Sequence, residues 1–234
     1  MKVIILTTNT DHHKYFINKI CTSDDNLSVF FETKKPVFKY KTAHKFYKLR
    51  DKFEKKVFQN QKYKRNIKYF NYISVNDHSV KKNIYKIKPD IIVAFGISIL
   101  KKKILKSFNH IDFVNFHGGD PELYRGLDSH FWGLYHKDFN NLYTTMHYID
   151  LGIDTGDIIS KKKIKISELT NIYDLRIKNT IFCIKMFNSF YRKKINNEKI
   201  KKFKQKNKGR YYSALPSQLV NTCLQNFINL KNNL

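Results

Sequence analysis

The sequence predicts an α/β fold: a mostly parallel sheet flanked by helices, followed by a small C-terminal extension. Two observations carry this. Short apolar runs with little polar alternation recur at residues 2–8 (KVIILTT), Leu27–Glu32 (LSVFFE), 90–95 (DIIVAF) and 111–116 (IDFVNF), as strands buried on both faces require. Segments of helical length separate them up to about residue 140. That order packs helices on both faces of a parallel sheet.

The elements follow in order. Residues 2–8 form the first strand and 11–21 a helix, and Leu27–Glu32 is the second strand. A basic stretch at 34–68 carries Phe46, Leu49, Phe53 and Val57 at helical spacing, which reads as an amphipathic helix with a solvated lysine face. A nucleic-acid or phosphate patch is its other reading. Residues 72–75 form a short strand and 80–87 a helix stopped by Pro89, because the residue before proline avoids helical backbone. The 90–95 strand runs into Gly96, followed by a helix at 99–108, the 111–116 strand and a helix at 128–136. Residues 142–149 and 158–166 are strands, and 172–191 is a long helix with Asn171 as N-cap and Asp174 in its first turn. A turn is expected at 209–212. The last helix follows Pro216 and lines up Leu219, Cys223, Phe227 and Leu230.

Composition bounds the function. The 234 residues are 41% hydrophobic and 15% aromatic, enough for a sizeable core and incompatible with a disordered chain. Lys and Arg number 45 against 19 acidic residues, a net charge of +26, which favours an anionic partner. Enrichment in Lys, Asn, Ile, Phe and Tyr is also what AT-rich codons produce, so the charge names no partner by itself. The three cysteines are far apart and form no CxxC; buried free thiols are expected, with neither a disulfide framework nor a zinc site. The start reads as a strand rather than a leader, and no apolar stretch reaches the roughly 20 residues that span a bilayer. The expected compartment is the cytoplasm, without membrane contact.

Ligands bind open α/β sheets beyond the C-terminal strand ends. Three such ends carry polar or glycine-containing sequence: 9–13, 96–98 and 115–119. Asn115 and His117 stand two apart on a strand, so both side chains point the same way, and Gly118 and Gly119 leave room beside them. An amide donor next to an imidazole can stabilise an oxyanion and move a proton; the same pair can equally be structural. The acidic loop Gly152-Ile153-Asp154-Thr155-Gly156-Asp157 sits between two predicted strands and is either a hairpin turn or a carboxylate returned to orient the imidazole. His12 and His13 either touch substrate or only open the first helix, where adjacent side chains are expected to diverge. Trp132, His130, His136 and His147 are read as structural.

Three ordered motifs, Val114-Asn115-Phe116-His117-Gly118-Gly119, Leu123-Tyr124-Arg125-Gly126 and Gly152-Ile153-Asp154-Thr155-Gly156-Asp157, resemble the family of 10-formyltetrahydrofolate-dependent formyltransferases. The resemblance covers residues 1–165 and implies a Rossmann-like fold. It places the catalytic triad on Asn115, His117 and Asp154, and the folate site on Phe95, Gly96, Ile97, Leu100, Leu151, Gly152 and Ile153, with Ile97 and Leu100 lining the pterin. Asn9, His12, His13, Gly118, Gly119, Tyr124 and Arg125 become candidate substrate contacts, Arg125 serving equally well to hold its loop. No metal is implied. The family often continues Asn-x-His with Ser and a Leu-Leu-Pro run. Gly118, Gly119, Asp120 and Pro121 stand there instead, which is similar to the sugar-modifying branch.

The resemblance therefore implies an N-formyltransferase acting on a nucleotide-linked 4-amino-4,6-dideoxy sugar for O-antigen or another surface glycan. Residues 1–166 are the expected catalytic domain. Residues 167–234 are a helix and short extension, a candidate dimerisation element. A separate tRNA-binding domain would not fit after residue 166, and no glycine-rich phosphate loop follows the first strand. The alternatives are a methionyl-tRNA formyltransferase-like enzyme and, in another class, a basic nucleic-acid-binding module, which would leave the three motifs unexplained.

Overall fold

The computed structural model describes residues 1–23, 26–58 and 67–233. Residues 59–66 of the basic 34–68 stretch lie outside the described residues. The elements are β1 (Val3–Thr7), α1 (Asp11–Lys19), β2 (Leu27–Glu32), α2 (His44–Val57), β3 (Lys68–Tyr72), α3 (His78–Ile87), β4 (Ile91–Phe95), α4 (Lys102–Ser107), β5 (Asp112–His117), β6 (Tyr124–Gly126), α5 (Ser129–Tyr135), β7 (Tyr143–Tyr148), β8 (Ile158–Lys163), α6 (Asp174–Ile195), β9 (Arg210–Tyr212) and α7 (Val220–Asn232).

Seven strands form one sheet in the order β3-β2-β1-β4-β5-β7-β8. β3 to β5 run parallel, and β7 and β8 add an antiparallel edge. The predicted class, a mostly parallel sheet flanked by helices, is what forms. β1, β2 and β4 are buried along their whole length, which explains why apolar residues dominate both of their faces. Val3, Ile5, Val93 and Phe116 face α1 and α6 on one side, where Phe16 and Phe187 meet them. Ile4, Leu6, Ile92 and Phe113 face α3 and α4 on the other. A third apolar cluster joins α5, the start of α6 and α7 through Phe131, Leu134, Leu175, Cys223 and Phe227. Chain beyond residue 166 thus packs into the cores that the earlier residues build.

Several expectations are corrected. The edge strand is β3, not 72–75: Phe70 and Tyr72 pack on Phe30 with ring centroids 4.9 and 5.2 Å away, while Ile73 is 72% exposed. Aromatic cross-strand pairs, not the Ile-Ser-Val run, hold the edge. In α2 the buried face is Phe46, Arg50 and Glu54, whereas Leu49 and Val57 are exposed. The cause is Arg176 of α6, which binds Glu54 through Nε and Nη2 and reaches Asp51. Paired charges thus take the inner face that an apolar stripe was expected to fill. Cys21 is exposed, while Cys183 and Cys223 are buried. The 209–212 turn is β9, a strand paired in parallel with β6. α6 begins at Asp174, not 172, with Tyr173 in the N-cap position and no side-chain cap. The expected cap Asn171 stands two residues earlier, where its Oδ1 accepts the Tyr173 N–H in the preceding turn, while Asp174 takes the Thr170 and Asn171 N–H groups.

Candidate active site

β1 and β4 are neighbours although β2 and β3 separate them in sequence, so the sheet has its topological switch point between them. Ligand crevices form at the C-terminal ends there. β5 ends at the same edge and carries Asn115 and His117. β7 runs back beside it, setting His147 opposite Asn115 and Thr145 opposite His117. Residues directly opposite in an antiparallel pair share a face, so His147 joins the Asn115/His117 side. The loop after β7 then returns Asp154 to the same point.

Four side chains meet there. The Asp154 carboxylate lies 3.4 Å from His117 Nδ1 through Oδ2 and 3.4 Å from His147 Nε2 through Oδ1. The Asn115 Nδ2 group donates to Asp154 Oδ1 at 3.2 Å and meets His147 Nε2 at 3.1 Å. His147 Nδ1–H donates to the Tyr148 carbonyl at 2.7 Å, so Nε2 is left as the acceptor for the Asn115 amide. This fixes which way the Asn115 amide faces. His117 Nε2–H donates to the Tyr124 carbonyl at 2.7 Å, which turns Nδ1 toward Asp154. The backbone N–H of Gly126 completes the carboxylate's partners, 2.8 Å from Oδ2.

Burial alone would push the Asp154 carboxyl up. The His117 ring when it is charged, then the neighbouring His147 ring and the Gly126 N–H, outweigh it and hold the group well below the ordinary carboxylate range. Asp154 is therefore an anion at neutral pH even though its side chain is only 10% exposed. Its backbone has φ +53°, a left-handed conformation that aspartate tolerates better than most residues. Gly156 two residues on admits no side chain, because a Cβ there would lie 1.8 Å from the Tyr148 carbonyl oxygen.

The structure brings the three triad candidates together and adds His147, which sequence reasoning had set aside as structural. Its signal lay in register: a histidine on the strand antiparallel to the Asn-x-His strand faces the same way if the two pair in this phase. Tyr124 joins through its carbonyl. Its hydroxyl points elsewhere, donating to Asp138 at 2.9 Å. Arg125 is buried and turned into its loop, donating from Nε to the Pro121 carbonyl and from Nη2 to Gln205, both at 2.9 Å. Gly119 is buried and Gly118 partly so, beside His117 and His130 respectively. His130 is buried and donates to the Tyr143 carbonyl at 2.7 Å; its burial draws its pKa down to about 4.

Phe95 is buried and Gly96 exposed at the end of β4, and Ile97 and Leu100 are half-buried against the α3/α4 core with Ile149. Leu151, Gly152 and Ile153 are exposed on the loop that carries Asp154. Asn9 is exposed beyond β1. His12 and His13 are buried, and their rings do not diverge: the centroids are 3.9 Å apart. His13 packs on Phe95 and bonds Thr8, and His12 lies 3.4 Å from Glu54. Burial, then Arg176 and Arg50, holds His12 well below the ordinary imidazole range.

Comparison with known proteins decides the family. Residues 1–178 match the model of the formyl transferase family. The chain belongs to the formyl transferase family. The resemblance read from the three motifs thus holds. Among curated relatives, methionyl-tRNA formyltransferase of Alkaliphilus oremlandii is 36% identical over 103 residues, 43% of this chain and 32% of that protein. The chain thus spans about a third of the length of that relative. Among solved structures, a 4-N formyltransferase from Francisella tularensis has a TM-score of 0.58 at 20% identity over 91% of this chain and 76% of its own. An N-formyltransferase from Helicobacter canadensis, solved with folinic acid and dTDP-3-aminofucose, has a TM-score of 0.58 at 19% identity over 99% and 80%. At such identities the likeness is one of fold. Among the described residues no helix is long and apolar enough to cross a membrane.

Proposed function

We propose that this family member transfers a formyl group from 10-formyltetrahydrofolate to the primary amine of a nucleotide-linked amino sugar, of the 4-amino-4,6-dideoxy type used in O-antigen and other surface glycans. The observation that carries the reading is the convergence of Asn115, His117 and Asp154 at the C-terminal edge of the sheet. The Helicobacter canadensis N-formyltransferase of the same fold, solved with dTDP-3-aminofucose, supports a nucleotide-linked amino sugar as the acceptor class. Residues 1–166 form the catalytic unit in this reading, and 167–234 extend it and offer a dimer contact.

Formyl transfer needs a stabilised oxyanion and a path for one proton. The Asn115 amide gives the oxygen of the attacked formyl group the hydrogen it now shares with Asp154. His117, held between the Tyr124 carbonyl and Asp154, carries the proton that the amine loses, and the Asp154 anion steadies the charged ring. The proton ends on the nitrogen that the formyl group leaves. The donor's flat pterin fits the apolar segment of Ile97 and Leu100, with the backbone at 151–154 for its polar edge. The diphosphate of the acceptor suits the chain's net charge of +26.

A turnover assay with 10-formyltetrahydrofolate and a panel of dTDP-, UDP- and GDP-linked 4-amino sugars, read by mass spectrometry, tests this. One formyl mass gained on a sugar establishes the acceptor. The curated methionyl-tRNA formyltransferase relative and the high charge favour a second reading, which formylation of charged initiator tRNA in place of any sugar would establish. Light scattering reads the dimer. His147 should matter in either case. His147→Phe keeps the ring volume but removes the acceptor that orients the Asn115 amide, so kcat is expected to fall by about tenfold or more with the fold intact. Unchanged kcat in the folded variant would remove His147 from the site.

A further inference from the structure

The C-terminal extension reaches back into the site in a way that the three motifs do not reveal. The Gln205 side-chain amide donates from Nε2 to two carbonyls of the acidic loop, Asp154 at 2.9 Å and Gly156 at 2.8 Å. Its Oε1 accepts from Arg125 Nη2 at 2.9 Å, and Arg125 Nε holds the Pro121 carbonyl. Lys206 N–H donates to Glu122 at 2.8 Å. Four residues after Lys206, β9 begins; it pairs with β6 and sets Gly126 opposite Tyr212, and it is the Gly126 N–H that binds the Asp154 carboxylate. One segment therefore fixes Asp154 from both sides: its main chain through Gln205, its carboxylate through Gly126. Asp154 sits at φ +53°, a conformation that persists only where the surroundings impose it.

We propose that residues 205–212 are the positioning element of Asp154, with Gln205 as a positioning residue for formyl transfer. The inference rests on the proposed reaction for its kinetic readout, but not for its structural one. Gln205→Met removes all three hydrogen bonds at nearly constant length, and Gln205→Asn keeps the amide but is one methylene too short to hold both carbonyls. Expected in each is a kcat lowered by about 10- to 100-fold, with KM for donor and acceptor within about threefold, since Gln205 meets only protein groups. The Asp154 carboxyl, followed by carbon NMR without substrate, should titrate higher than in the natural chain, because a displaced carboxylate loses His117, His147 and the Gly126 N–H together.

A folded Gln205→Met variant with kcat within about twofold and an unmoved Asp154 titration would overturn the proposal. So would a lower melting temperature with unchanged turnover of the folded fraction, which marks a merely structural role. If Gln205→Met fails to fold, Gln205→Asn decides by the same two readouts. If the natural chain transfers no formyl group to any acceptor, the proposed function fails, and the Asp154 titration alone decides this inference.

Discussion

Asp154→Asn is expected to lower formyl transfer by about 10²- to 10⁴-fold, the usual worth of a positioned acid–base group, while the chain stays folded. The amide fills the same volume and still offers one oxygen to the Gly126 N–H. What it lacks is charge. Asp154 faces two imidazoles at 3.4 Å, and a neutral group there no longer favours a protonated His117 during transfer. The same substitution has a signature in stability. The Asp154 carboxyl is held below its unfolded value, so its ionisation stabilises the native state above about pH 4 and that contribution is lost as pH falls further. Urea unfolding at pH 7 and at pH 3 should show the gap between natural chain and variant narrowing at the lower pH. Near-normal turnover in folded Asp154→Asn would take the carboxylate out of the reaction.

Much of this site could be read before any coordinates, and the reason is local chemistry. A strand end with two polar residues at i and i+2, followed by two glycines, has few uses other than presenting those side chains. Asn115 and His117 do present them to one point. The central strands were equally legible, because β1, β2 and β4 are buried on both faces and show no alternation. What escaped was set by pairing across long sequence separations. His147 is a site residue only because β7 pairs with β5 in a register that puts it opposite Asn115. Nothing within the 142–149 segment encodes that phase.

The same limit explains the other misreadings. Arg50 and Glu54 turn inward because Arg176 arrives from more than a hundred residues away, a compensation invisible to the periodicity of α2. The 209–212 segment reads as a turn because Gly209, Arg210 and two tyrosines carry turn-like composition, yet the hydrogen bonds of β9 lie with β6. Gln205 stands in a run of lysines and carries no pattern of its own. Its two carbonyl partners define it. Elements held by their own sequence are legible, and elements held by a distant partner are not.

Gly126→Ala should damage both the fold and the site. Gly126 sits at φ +90°, and a Cβ built there would lie 2.2 Å from the Tyr212 carbonyl oxygen and 2.8 Å from the Tyr211 ring. The first contact is with backbone, which cannot swing aside as a side chain can. Relief requires that β6 and β9 separate, which breaks the Leu127 N–H to Tyr212 bond as well. Left-handed strain and steric overlap together cost on the order of 2–4 kcal/mol, measurable by chemical denaturation. The chemical loss should exceed the stability loss, because the displaced Gly126 N–H no longer reaches the Asp154 carboxylate. Gly126→Asn separates the two causes: asparagine tolerates left-handed backbone better than alanine but brings the same Cβ. If steric contact with Tyr212 dominates, asparagine fails as badly as alanine; if asparagine restores activity, backbone strain was the whole effect and the close packing of β9 on β6 is dispensable to the site.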